Sequence, residues 1–203
     1  MGKHDGPNGK VREADRRAPP SSRLDLGLHV VSFASCAVGA LTLGSVLLGA
    51  GATHYLAGIG FTLLEREGER SRRRNEGALP YMLLFLAIAM LCLLLSMHIA
   101  AKGLHGLAHA EPLDELAVLA WTIPGLATAV ASARAAARRW PDRRRLGRVT
   151  TDALLSAAPA CLAFAVWLVT QPGDNGKLDS TAGLVLVLVL CARPVIYLVR
   201  SLE

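Results

Sequence analysis

Apolar residues fill five long stretches of the chain, and charge is confined largely to the segments between them. A soluble amphipathic helix carries polar residues on every turn of its wet face, which these stretches lack. The longest runs from Leu24 to Leu64, 41 residues whose only charged or histidine positions are Asp25, His29 and His54. One bilayer crossing takes about 20 residues, so this run predicts two helices joined by a tight turn. Gly44-Ser45 is the best breakpoint, because glycine weakens a helix interior and serine caps the helix that follows. The predicted spans are 24–43, 46–64, 79–101, 116–133, 149–170 and 181–199. Pro124-Gly125 predicts a kink in the fourth, and Pro159 lies inside the fifth. The connections at 65–77, 102–115, 134–148 and 171–180 read as loops. Residues 1–23, rich in Pro, Gly and basic residues, read as a disordered cytoplasmic leader. The expected fold is an all-α membrane protein, a six-helix transmembrane bundle over residues 24–201.

The distribution of charge sets an orientation. Of the 22 Lys and Arg residues, only Lys102 and Lys177 fall in segments assigned to the outer side. The other 20 lie in the leader, in the connections after the second and fourth spans, and near the end of the chain. Cytoplasmic loops carry such an excess, so both termini are expected in the cytoplasm. The basic clusters abut apolar spans, which argues against nucleic acid as the partner and for the lipid bilayer. A multi-pass protein of the plasma membrane is the expectation. The four cysteines all lie in apolar stretches without metal-ligand spacing and read as small buried hydrophobes. No signal peptide is expected, since no short apolar core with a small-residue cleavage site opens the chain. Glycines crowd the first two spans and alanines the fourth and fifth, which allows close helix packing.

Polar groups within lipid-spanning segments are the first functional candidates. His54 lies ~12 Å from the outer end of its span and ~15 Å from the inner, near the midplane. A neutral imidazole there binds a metal ion or relays a proton; the plainer reading is a hydrogen bond to a neighbouring helix. Asp152 sits ~5 Å inside the basic end of the fifth span, where it pairs with Arg145 or Arg148 or opens the helix. Arg193 is placed to reach back to the cytoplasmic interface. At the outer end of the third span, His98, His105 and His109 share one face if the helix persists past Gly103 and Gly106. Two of them with Glu111, Asp114 or Glu115 would suit a surface zinc ion. No nucleophile elbow, phosphate loop, zinc-protease motif or carboxylate pair is present, so no enzyme is expected.

Three segments carry a resemblance to the membrane domain of the cation diffusion facilitator (cation efflux) family, which covers roughly residues 22–201. GSVLLGAGATHYLAG at 44–58 resembles the opening of that family's second helix, TTDALLSAAP at 150–159 its fifth, and KLDSTAGLVLVLVL at 177–190 its sixth. The resemblance implies a divalent ion such as zinc as transported substrate, commonly exchanged for protons, and a homodimer. It also implies four Asp or His ligands, two per helix at i and i+4. These positions map to His54 and Gly58, and to Leu155 and Pro159, with Asp152 as a neighbouring aspartate and not a ligand. On that mapping His54 is level with Pro159, and Asp152 lies ~10 Å nearer the cytoplasm. One ligand of four is present, and a single imidazole does not hold a tetrahedral ion. Thr53, Ser45, Ser156, Cys161 and backbone near Pro159 are alternative donors. Two functions follow as expectations: cation transport through an altered site, or a non-transporting membrane subunit, sensor or scaffold.

Overall fold

The computed structural model describes residues 23–74, 79–109, 111–139, 143–169 and 175–202. Among them the fold is all-α, with six helices: α1 (Arg23–Leu43), α2 (Val46–Arg74), α3 (Leu79–Ala108), α4 (Glu115–Arg139), α5 (Arg143–Val169) and α6 (Asn175–Leu202). Residues 1–22, most of the expected leader, lie outside the described residues. Three helices contain segments long and apolar enough to cross a membrane: Leu26–Leu43, Val46–Gly68 and Met82–Ala108. That is the mark of a membrane protein. α4 and α5 carry shorter apolar stretches, Glu115–Ala131 and Ala153–Val169.

The helices run further into the charged segments than the loops at 65–77, 102–115, 134–148 and 171–180 allowed. α2 continues to Arg74, α3 to Ala108 through Gly103 and Gly106, α4 to Arg139, and α5 and α6 begin at Arg143 and Asn175. Glu, Arg and Ala are good helix formers, and spaced charges support a helix leaving the bilayer as well as one in water. Glu67 and Arg70, at i and i+3, approach to 3.9 Å on that extension. α4 and α5 remain helical through Pro124 and Pro159.

α2 is the central element. It packs against α1, α3, α5 and α6 and touches α4. Two-thirds of its apolar segment (67%) is buried, against 6% of the segment in α3, which presents Met82, Phe85, Met90 and Met97 outward. The core joins Leu47, Leu48, Ala50 and Tyr55 of α2 to Cys36, Val118, Ala163, Leu186 and Val187. Glycines let the neighbours close in: a Cβ on Gly51 would meet Pro159 of α5 at 3.2 Å, and one on Gly39 would meet Trp121 of α4 at 2.7 Å. Of the cysteines only Cys36 is buried; Cys161 and Cys191 are exposed, which corrects their reading as buried hydrophobes. An outward face turned to lipid accepts a thiol as readily as an apolar core does.

The α1–α2 turn explains how α2 can start inside the protein. Gly44 takes φ +74° after α1 ends, a conformation that favours glycine. The N–H groups of Val46, Leu47 and Leu48 at the start of α2 have no carbonyl one turn back in the helix and need other acceptors. The Ser45 hydroxyl accepts from Leu48 N at 3.1 Å, while the Ser45 carbonyl takes the first ordinary helical bond, from Gly49 N at 3.4 Å. The other two are met by Asp179 of α6, whose Oδ2 accepts from Val46 N at 2.7 Å and Leu47 N at 3.4 Å. Its Oδ1 accepts from the Ser45 hydroxyl at 2.7 Å.

Candidate functional site

His54, on the buried helix α2, is 6% exposed, and its Nε2 lies 3.1 Å from the Ser156 hydroxyl of α5. The next residue, Tyr55, donates its hydroxyl to the Ser156 carbonyl at 2.6 Å. Pro159 has no N–H for the Leu155 carbonyl, and the tyrosine bond falls on the carbonyl beside it. Two consecutive α2 side chains thus grip one α5 residue. The rings of His54 and Tyr55 meet edge to face, with centroids 5.2 Å apart. Gly125 of α4 makes room for the Tyr55 hydroxyl, since a Cβ there would coincide with it.

The opposite side of Tyr55 faces α1. The ring of His29 stands edge-on to it at 6.4 Å and covers Gly58, where a Cβ would fall on the imidazole. An imidazole from α1 therefore occupies the space beside the position where the resemblance places a second α2 donor. His29 entered the sequence reading only as an interruption of an apolar run. The available signal was the pairing of a histidine in one span with a glycine in the next.

These contacts revise the register of α2 and α5. His54 faces Ser156, and Gly51 faces Pro159, so His54 is not level with Pro159. The shift is three residues, ~4.5 Å along the helix. It brings Asp152, one turn before Ser156 on α5, level with Gly58 and ~6 Å below His54. The side chains of Asp152 and Arg193 lie outside the described residues, although their backbones are helical.

The alternative donors separate clearly. Ser156 is at His54, whereas Ser45 is taken up by Asp179 and Leu48 at the end of α2. Thr53 donates to the Gly49 carbonyl one turn back at 3.1 Å, and Cys161 faces outward. Ser32 and Thr128 form a further buried polar bridge, 2.6 Å, between α1 and α4.

At the far end of α3, His105 and His109 stack with centroids 4.9 Å apart, and both are exposed, as is His98. His98 and His105 are two turns apart, ~10 Å along the axis, too far to share one ion. Among the described residues no group of three or more His, Cys, Asp or Glu side chains is placed to hold a metal.

Asp179 is 3% exposed and was not singled out from the sequence except within the resemblance to the sixth helix. It lies two residues outside the span expected at 181–199. Burial pushes its carboxyl above the usual range, while the donors on Ser45, Val46 and Leu47 and the charge of Lys102 hold the rise back. Asn175, also buried, exchanges two hydrogen bonds with the backbone of Leu113, at 2.6 and 3.3 Å, and ties α6 to the start of α4.

No protein-family profile matches this chain, and no curated protein sequence matches it.

Proposed function

We propose that this chain is a plasma-membrane protein of six spans with both termini cytoplasmic, and that it moves a divalent cation, with proton exchange, past His54. The observation that carries the reading is a buried imidazole on the central helix, bonded to a hydroxyl on a second helix. Polar groups are expensive at that depth, and a site on an ion pathway is the standing reason for keeping one. Imidazole suits zinc and its neighbours and also carries protons near neutral pH. The basic residues on one side of the predicted spans support the topology. The resemblance to the cation efflux family supports the substrate class and a homodimer.

A reporter fused after Glu203 is expected on the cytoplasmic face of the membrane. Its appearance outside would overturn the six-span topology. In proteoliposomes, the parent protein is expected to carry zinc, and His54→Ala to reduce the initial rate at least about tenfold, as losses at metal-site partners do. Unchanged flux in the variant removes His54 from the pathway.

A second reading is a non-transporting membrane subunit, sensor or scaffold. It is favoured by Gly58, Leu155 and Pro159 at donor positions and by the lack of a three-donor group among the described residues. Absence of zinc flux in both parent and variant decides for it.

A further inference from the structure

α4 and α5 each carry a proline inside the helix, and each is held at that break by a hydroxyl from a neighbouring helix. In α5 the Tyr55 hydroxyl of α2 donates to the Ser156 carbonyl, three residues before Pro159, at 2.6 Å. In α4 the Ser35 hydroxyl of α1 donates to the Trp121 carbonyl, three residues before Pro124, at 2.8 Å. A proline leaves the helical ladder one donor short and crowds the carbonyls of the preceding turn, so the chain bends there most easily. In lipid, side chains of adjacent helices are the donors that can fix such a break. Both breaks are pinned alike, by two helices that pack on each other.

The pinned residue in α5 has a second task that Trp121 lacks. Its hydroxyl stands 3.1 Å from His54 Nε2. Two hydrogen bonds thus meet in Ser156, one on its backbone and one on its side chain, with Tyr55 and Ser156 both buried. The N–O distance at His54 is already near the long end of the usual range, so a shift of α5 by about 0.5 Å would remove that bond. Gly125 of α4 leaves the room that the Tyr55 hydroxyl occupies, because a Cβ there would coincide with it.

We infer that Tyr55 is a positioning residue for His54: by fixing the α5 backbone beside the Pro159 break, it sets where the Ser156 hydroxyl stands against the imidazole. This role rests on the cation-transport reading, in which His54 meets the ion or the proton. A hydrogen-bond partner orients an imidazole and selects its tautomer, and both decide what the free nitrogen can do. α4 takes part through Gly125, without which the tyrosine hydroxyl could not reach the carbonyl.

The test uses the purified full chain in detergent, labelled with nitrogen-15 in histidine. The ring resonances of His54 are identified by their loss in His54→Ala. Ser156→Ala removes the hydroxyl and gives the reference shift of the ring nitrogens. Tyr55→Phe keeps the aromatic ring beside His54, removes only the hydroxyl, and is expected to move the same resonances in the same direction. Gly125→Ala, which displaces that hydroxyl from the α4 side, is expected to match it. In the Ser156→Ala background, adding Tyr55→Phe is expected to change the His54 resonances no further. Ser35→Ala, at the other proline break, is expected to leave them in place.

Parental resonances in Tyr55→Phe beside shifted ones in Ser156→Ala would overturn the inference. So would parental resonances in both, since the His54–Ser156 bond would then be absent. A shift in Ser35→Ala equal to that in Tyr55→Phe would reduce the effect to general loosening and overturn it as well. Zinc flux in proteoliposomes tests the transport reading separately. The initial rate of Tyr55→Phe is expected to fall between those of the parent and His54→Ala, and a parental rate removes Tyr55 from the working site. A parent without flux overturns the transport reading, while the resonances still decide whether Tyr55 places Ser156.

Discussion

Gly183→Leu is expected to cost about 3 kcal/mol or more, the upper range for forcing volume into a packed interior. A Cβ at position 183 would lie 2.6 Å from Val46 Cγ1, 2.7 Å from the Val46 carbonyl carbon and 2.8 Å from Leu47 N. Two of those three atoms are backbone and cannot rotate away. α6 would have to withdraw from the first turn of α2, carrying Asp179 off the N–H groups it satisfies. The measurement is the midpoint of unfolding in mixed micelles of increasing denaturing detergent, read by helical circular dichroism. Gly27→Leu is the control, because nothing lies within 4 Å of a Cβ at that position. Equal midpoints for the two variants would show that α2 and α6 are not in this contact.

Asp179→Ala is expected to destabilise by about 2–3 kcal/mol. The buried carboxylate accepts from one hydroxyl and two N–H groups, and its loss leaves those donors without that acceptor in an apolar surrounding. Asp179→Asn keeps one acceptor oxygen and adds no charge to a site where burial already opposes it. It should lose roughly half as much. The same detergent titration separates the three proteins. If the alanine variant unfolds with the parent, the α2 N-terminus finds its acceptors elsewhere. Neither substitution touches His54 or Ser156, so zinc binding per folded molecule is expected to be unchanged. Stability at the α2–α6 junction and the proposed role of His54 are thereby separable.

Helix content was plain in the sequence for a simple reason. A segment such as 79–101 holds only uncharged side chains and must satisfy its backbone internally once in lipid, and the helix does that. The turn at Gly44-Ser45 was legible too, since glycine reaches positive φ and serine caps. Helix ends were harder. Charged residues such as those at 65–74 are compatible with a loop or with a helix extending from the bilayer, and composition does not choose between them.

The candidate site was half legible. His54 stands out as a histidine in the middle of an apolar stretch, and Ser156 was among its possible oxygen partners. His29 and Asp179 were not found, because the importance of each lies in what another helix brings to it. Gly58 read as a lost donor when taken along one helix, and as room for a neighbour's imidazole once α1 was in place. The register between α2 and α5 was also misjudged by about one helical turn, because packing at Gly51 and Pro159 sets it.

By itself the sequence determined the helical middle of each segment, which stretches suit lipid, and that an imidazole sits within one of them. Hydropathy and propensity are properties of residues and their near neighbours. The tertiary structure alone decided that α2 is the buried helix, that Asp179 completes its first turn and that His29 stands over Gly58. Those facts depend on distances between residues as much as 134 positions apart. Such distances are fixed by which small residues let two helices close, and no local pattern in the chain records that.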